Sequence, residues 1–237
     1  MQLFYSPDIA PMFTLDAEES RHAVRVMRLR EGDAIHVSDG HGQIVQCRII
    51  TAEEKGCTVE VMGERVADVL PVNMCLAVAP TKNPSRMEWL VEKAVEVGVN
   101  QIYLLQGDHS ERVFMKTDRL QRIAVSAMKQ SLRGILPDIL PVMSVREFIT
   151  EVAVPDNSQL FIAHCEADKP RIPLAMALQP GRNTTILIGP EGDFSEEEIA
   201  LALQHGYQPV SLGPSRLRTE TAALYAVTAF NLINDRS

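Results

Sequence analysis

The sequence predicts an α/β protein of two domains, a small β-barrel over residues 1–70 and a mostly parallel sheet with helices over residues 73–237. In the first part of the chain, short strands are separated by turn residues, which is typical of a small barrel. From residue 72 onward strands alternate with helical segments, which is typical of an α/β domain. A proline-marked linker at residues 68–73 separates the two patterns.

The clearest element of the predicted barrel is a β-hairpin. Residues 34–38 and 43–50 flank the turn sequence Asp-Gly-His-Gly at residues 39–42. Glycine and aspartate favour the backbone conformations that a tight hairpin turn requires. A second turn at residues 53–56 leads into a further strand at residues 57–61.

Two basic segments stand out in a chain whose net charge is −8. Arg21, Arg25 and Arg28 lie in a predicted helix over residues 18–30, where their spacing places them on one face. Residues 112–133 contain six basic residues and one acidic residue. An acidic chain is a poor general partner for nucleic acid, but local basic surfaces can still bind phosphate. An RNA-binding surface and a solvated helix face both remain open as interpretations.

The second domain is predicted as a regular alternation of strands and helices. Strands are predicted at residues 72–79, 101–105, 160–164, 184–188 and 209–212, and helices at residues 85–97, 118–132, 195–204 and 219–233. In open α/β sheets, ligands bind outside the carboxyl ends of the strands. The loops that follow the strands are therefore the first place to look for a site.

Two of these loops begin with Gly-Pro, one at residues 189–192 and one at residues 213–218. Glycine lets a backbone approach a ligand closely, and proline stiffens the loop. After the first loop, Ser195 and Glu198 form a capping-box pattern that starts a helix. The first turn of that helix holds three glutamates, which would repel an anion at the positive end of the helix. The pattern favours a neutral or cationic ligand over a nucleotide polyphosphate.

The remaining composition gives a simple expectation about cofactors and location. The four cysteines are far apart, without metal-ligand or disulfide spacing, and lie at Cys47, Cys57, Cys75 and Cys165. No apolar run approaches the ~20 residues of a membrane span. The amino-terminal residues lack the basic and apolar regions of a secretory signal. We expect a reduced, cytoplasmic protein without a metal.

The two Gly-Pro segments carry a family resemblance. "LIGPEGDFSEEEI" and "SLGPSRLRTETAAL" resemble the paired motifs of the bacterial 16S rRNA uridine-N3 methyltransferase family, of the SPOUT class. The likeness extends to "KNPSRMEWLVEKAVEVGV", to "RHAVRVMRLREGD" and so to essentially the whole chain. The chain departs from the family pattern at Ser126 and Lys129, where acidic residues are common, and at Leu132, where glycine is common.

The resemblance implies a fold and an activity. The fold would be a SPOUT-type domain with a trefoil knot, preceded by a PUA-like barrel that helps to hold RNA. The methyl donor would be S-adenosyl-L-methionine, bound bent in the knot. The enzyme would be a homodimer that methylates N3 of a uridine in the decoding region of 16S rRNA, within the small ribosomal subunit. Alternatives are a SPOUT enzyme for another rRNA or tRNA site, and a non-catalytic RNA-binding assembly factor.

The resemblance also implies residue roles. Arg218 would stabilise negative charge on the uracil, and either Glu220 or water would remove the proton. The cofactor-binding residues would be Leu187, Ile188, Gly189, Glu191, Gly192, Leu212, Gly213, Leu217 and Thr219. The RNA-binding residues would be Arg21, Arg25, Arg28, Lys82, Arg86, Arg112 and Arg133.

Overall fold

A computed structural model describes residues 2–67, 71–111, 115–166 and 170–234. The chain divides into two compact units, Met1–Leu70 with Val125–Leu136, and Pro71–Ala124 with Pro137–Ser237. The predicted linker falls partly on residues 68–70, which lie outside the described residues. The segment Val125–Leu136 comes from the middle of the chain, and nothing in its local sequence predicts that it joins the first unit.

The first unit is built on a five-stranded sheet of order β1-β3-β4-β5-β2. Its elements are β1 (Leu3–Tyr5), β2 (Met12–Thr14), α1 (Ala17–Arg21), a π-helical segment (His22–Val26), β3 (Ala34–Ser38), β4 (Gln43–Thr51) and β5 (Thr58–Ala67). The predicted hairpin is confirmed, because β3 and β4 pair antiparallel. The Asp39 carboxylate closes its turn by accepting the backbone N–H groups of His41 and Gln43 at 2.7 and 3.0 Å.

The predicted helix over residues 18–30 is shorter and less regular than expected. The backbone N–H of Met27 donates to the carbonyl of His22 at 2.9 Å, a bond to the residue five positions back that defines a π-helix. Arg28 follows the helix in the left-handed conformation, with φ of 58°. The prediction that Arg28 shares a helix face with Arg21 and Arg25 is therefore wrong, although all three side chains are exposed.

The second half of α3 (Thr117–Ser131) belongs to the first unit. Lys129 forms an ion pair with Glu19 of α1, which is buried. Leu132 ends the helix with φ of 58°. This left-handed conformation costs a residue with a β-carbon about 1–2 kcal/mol, which is a physical reason for glycine to be common at such a position. Two of the three departures noted in the sequence therefore have a defined structural context.

The second unit is built on a seven-stranded parallel sheet of order β10-β12-β9-β11-β6-β7-β8. Its elements are β6 (Met74–Val78), α2 (Pro84–Val97), β7 (Gln101–Gln106), the first part of α3, β8 (Asp138–Ser144), α4 (Val145–Glu151), β9 (Ser158–Ala163), β10 (Ile172–Pro173), α5 (Leu174–Ala177), β11 (Asn183–Ile188), α6 (Glu196–Gln204), β12 (Gln208–Ser211) and α7 (Thr219–Asn234). Every strand and helix predicted for this domain is present within a few residues.

The sequence does not predict β8 and α4. Pro141 interrupts the strand pattern of β8, and proline is tolerated there because β8 is the edge of the sheet. Ser144 and Glu147 form a complete capping box at the start of α4, a pattern that the sequence does contain. The apolar side chains of α4 join those of β11 and α6 in the core, with Phe148, Leu187 and Ile199 almost fully buried.

Candidate functional site

The second unit contains a cavity of about 560 Å³ at the carboxyl ends of β9, β11 and β12. This volume is in the range of pockets that hold small molecules and cofactors. Loops that follow neighbouring parallel strands form its walls, as expected for a ligand site in an α/β sheet. The lining residues come from the segments 163–165, 188–191 and 210–219, together with Arg171, Asp193 and Ala222.

The loop after β11 forms the first wall. A β-carbon on Gly189 would lie 3.1 Å from the ring of Phe194, and one on Gly192 would lie 2.8 Å from the Cβ of His109. Both glycines therefore let the loop pack closely against its neighbours. The Glu191 carboxylate accepts the backbone N–H of Lys82 at 3.1 Å, which ties this loop to the one that follows β6.

The loop after β12 forms the second wall and leads directly into α7. Gly213 has φ of 113°, a conformation that favours glycine. The carbonyl of Arg218 accepts the backbone N–H of Ala222 at 2.8 Å, so Arg218 immediately precedes the first turn of α7. The hydroxyl of Thr219, which is buried, donates to the carbonyl of Gly189 at 3.1 Å. This bond joins the two Gly-Pro loops.

A third wall, which no local sequence pattern predicts, comes from the chain that follows β9. It includes His164 and Cys165, and Arg171 just before β10. Asp193 holds this wall to the first, because its carboxylate accepts the backbone N–H of Cys165 at 2.6 Å. Asp193 itself has φ of 66°. The end of β9 was predictable from the sequence. Arg171 reaches the site through the pairing of β10 with β12, and no pattern in the neighbouring sequence predicts that pairing.

The amino-terminal end of α6 is occupied by the protein's own side chains. Ser195 and Glu198 form the predicted capping box, and the Ser195 hydroxyl also donates to the Asp108 carboxylate at 2.6 Å. Burial raises the pKa of the Glu198 carboxyl, while hydrogen bonds from the backbone of Ser195 and Asp108 oppose that shift. Since Ser195 and Glu198 are buried and do not line the cavity, this helix end is not built to bind a phosphate.

Most residues predicted to hold a cofactor lie at the cavity. Seven of the nine line it: Ile188, Gly189, Glu191, Leu212, Gly213, Leu217 and Thr219. The side chain of Leu187 is buried in the core next to the first wall. Gly192 packs against His109 behind the loop.

The two residues predicted to be catalytic are placed differently. Arg218 is exposed and lines the cavity. Glu220 is buried, does not line the cavity, and has its Oε1 atom 3.6 Å from the Nε atom of Arg86 on α2.

The residues predicted to bind RNA fall on both units. Arg21, Arg25 and Arg28 are exposed on the first unit, and Arg133 is half-buried there. On the second unit, the exposed Lys82 forms an ion pair with Glu111. The prediction for Arg112 lies outside the described residues.

The charges around the cavity are mixed. Its described lining includes two carboxylates, Glu191 and Asp193, and three guanidinium groups, Arg171, Arg216 and Arg218. The described residues contain no cluster of histidine, cysteine, aspartate or glutamate suited to a metal ion. Within the same residues, no helix combines the length and apolar character needed to cross a bilayer.

Family models match both parts of the chain. Residues 68–231 match a family described as "RNA methyltransferase domain", and residues 15–62 match one described as "RNA methyltransferase PUA domain". The chain is 30% identical over 246 residues to the ribosomal RNA small subunit methyltransferase E of Mycobacterium tuberculosis, which covers 99% of this chain and 92% of that protein.

Solved structures match over the full length. A probable rRNA methyltransferase from Porphyromonas gingivalis superposes with a TM-score of 0.90 at 41% identity, covering 99% of this chain and 98% of that one. The ribosomal RNA small subunit methyltransferase E of Neisseria gonorrhoeae, bound to S-adenosyl methionine, superposes with a TM-score of 0.83 at 28% identity, covering 100% of both. The predicted fold class, a SPOUT-type parallel sheet preceded by a PUA-like domain, is confirmed.

Proposed function

The chain belongs to the ribosomal RNA small subunit methyltransferase E family of RNA methyltransferases, and from this premise we propose that it methylates N3 of a uridine in 16S rRNA. The observation that carries the proposal is the cavity between the two Gly-Pro loops, which the Thr219–Gly189 hydrogen bond holds together.

The cavity fits S-adenosylmethionine as the methyl donor. The donor carries an adenosine and a positive sulfonium but no phosphate. Two walls formed by loops suit the adenosine, and the absence of a phosphate agrees with the capped amino-terminal end of α6. The backbone of Ile188, Gly189, Leu212 and Leu217 would hold the adenine and ribose. Leu187 and Gly192 would contribute by fixing the shape of the first wall. When bound, the donor supplies an electrophilic methyl group on its sulfur.

Arg218 is the residue that acts on the substrate in this proposal. Uridine N3 bears a proton and is a poor nucleophile until that proton leaves. The anion that results spreads its charge over the neighbouring carbonyl oxygens. A guanidinium at the cavity wall stabilises that charge, and the backbone of Arg218 is held at the start of α7 by the Ala222 hydrogen bond.

Glu220 acts indirectly in this scheme. Its carboxylate faces Arg86 and does not line the cavity, so we assign proton removal to water and a positioning role to Glu220. The ion pair with Arg86 joins the first turn of α7 to α2, and it thereby fixes the helix end from which Arg218 projects.

The RNA would be held through phosphate contacts that do not read sequence. On the first unit we assign these to Arg21, Arg25, Arg28 and Arg133, and on the second unit to Lys82. The target base must leave its stack to reach the cavity. We place this reaction in the cytoplasm, on 16S rRNA within the small ribosomal subunit.

We also propose that the chain acts as a homodimer. The second unit leaves large apolar side chains exposed on two helices that pack against each other, α2 and α7. Trp89 of α2 is 43% exposed, and Tyr225 and Leu232 of α7 are 42% and 77% exposed. A second copy that covers α7 would bury this surface.

The test uses radiolabelled S-adenosylmethionine and small ribosomal subunits that lack the modification, followed by digestion and nucleoside chromatography. We expect a labelled 3-methyluridine peak. Arg218→Ala should lower turnover at saturating substrate by about 10²–10³-fold. Arg146→Ala, on the exposed face of α4, is the matched control and should retain the wild-type rate.

Two results would contradict the proposal. Label in a different nucleoside would disprove the assignment to uridine N3. Near-native turnover of Arg218→Ala would disprove the role of that guanidinium.

A further inference from the structure

We propose that Arg171 binds the α-carboxylate of the methyl donor, an inference that rests on the proposed function. The Gly-Pro loops suit the adenosine, but the amino-acid end of the donor carries a carboxylate that needs a cation inside the protein. Three guanidinium groups are available on the described cavity wall, those of Arg171, Arg216 and Arg218.

Arg171 is distinguished from the other two by its burial and its anchor. It is half-buried, whereas Arg216 and Arg218 are exposed. One of its terminal nitrogens donates to the carbonyl of His164, at the end of β9. A guanidinium has five N–H donors in a rigid plane, so one bond to a carbonyl orients it and leaves donors for a carboxylate.

The backbone near Arg171 is also fixed by the sheet. Ile172, the next residue, pairs with Val210 near the carboxyl end of β12. The side chain therefore starts from the residue directly before a paired strand. A cation held in this way loses little freedom when it binds an anion, and an oriented guanidinium binds carboxylates with two parallel hydrogen bonds.

The carboxylates of the first wall favour the positive groups of the donor. Glu191 and Asp193 lie on the first wall, and both carboxylates already accept backbone N–H groups. Their negative charge repels a carboxylate and attracts the ammonium and sulfonium groups. Asp193 and Arg171 bind the N–H and the carbonyl of the same His164–Cys165 peptide unit, so the ammonium and the carboxylate that share the donor's α-carbon can contact these two neighbouring side chains.

The experiment measures binding and not activity. Isothermal titration calorimetry on the full chain compares S-adenosylhomocysteine with decarboxylated S-adenosylhomocysteine, which lacks only the carboxylate. The wild-type chain should bind S-adenosylhomocysteine about 10- to 100-fold more tightly than the decarboxylated analogue, which is the ratio of affinities expected from a hydrogen bond between charged groups. In Arg171→Met this ratio should fall to about 1, while the affinity for the decarboxylated analogue stays within about threefold of wild type.

Two further variants make the test specific. Arg171→Lys should restore part of the ratio, because it keeps the charge but not the planar donor pair. Arg216→Met is the matched control, and it should leave the ratio unchanged.

The outcomes separate this inference from the proposed function. If the wild-type chain binds both analogues equally, the carboxylate is not recognised and the inference fails, while donor binding stands. If Arg171→Met weakens both analogues equally, or if Arg216→Met abolishes the ratio, Arg171 is not the carboxylate ligand. If the wild-type chain binds neither analogue, the donor assignment itself is wrong.

Discussion

The hydrogen bond from Thr219 to the carbonyl of Gly189 is the most direct link between the two Gly-Pro loops, and Thr219→Val removes it with little change in volume. The bond is 3.1 Å long and buried. Its loss leaves the Gly189 carbonyl without this donor, at a cost of about 1–2 kcal/mol in the free energy of unfolding. For a chain of this length, that corresponds to a fall of about 2–8 °C in Tm.

Calorimetric melting with and without S-adenosylhomocysteine would measure this effect. We expect Thr219→Val to melt earlier and to gain less stability from the ligand, because the two loops no longer hold a common cavity. Thr219→Ser keeps the hydroxyl and loses only a methyl group, so it should resemble the wild-type chain in its gain from the ligand. If the serine variant is more damaged than the valine variant, packing of the methyl group and not the hydrogen bond joins the loops, and the reasoning is refuted.

Three further predictions concern packing, pH and assembly. Gly192→Ala should destabilise the chain by about 1–3 kcal/mol in urea unfolding, because the new β-carbon would lie 2.8 Å from His109, whereas Gly56→Ala should change little. Burial raises the folded-state pKa of Glu198 above its ordinary 4.5, so the stability that this carboxyl contributes should be present below pH 4.5 and be lost as pH rises through the raised value. Glu198→Gln should remove this contribution from the pH dependence of the free energy of unfolding. An unchanged pH dependence in that variant would contradict the prediction. Tyr225→Glu should shift the chain from dimer to monomer in sedimentation velocity with an unchanged circular dichroism spectrum, and an unchanged sedimentation coefficient would argue against α7 as the interface.

Local patterns in the sequence were sufficient for most of the elements. The alternation of strands and helices, the hairpin at Asp39 and the capping box at Ser195 depend on residues close together in the chain, so each could be predicted and each is confirmed. The two Gly-Pro loops were located by a rule about the carboxyl ends of parallel strands. Seven of the nine predicted cofactor residues line the cavity for this reason.

Features that depend on contacts between residues far apart in the chain were predicted wrongly or were not predicted. Arg28 does not share a helix face with Arg21 and Arg25, because the π-helical segment ends at Val26 and Arg28 follows it in the left-handed conformation. Strand β8 was not predicted because it contains a proline, which a strand tolerates only at the edge of a sheet. The order of the strands, and so the position of β8 at the edge, depends on residues far apart in the chain. Segment 125–136 joins the first unit through contacts such as the Lys129–Glu19 ion pair.

The sequence by itself determined the class of protein, its two Gly-Pro loops and the exclusion of a phosphate at α6, because each depends on short-range backbone and charge patterns. Only the tertiary structure decided how the loops meet: the Thr219–Gly189 bond, the wall that follows β9, and the separation of Glu220 from the cavity by its pairing with Arg86. The physical reason is that these contacts join residues brought together by strand order, and strand order is set by the burial of the whole sheet.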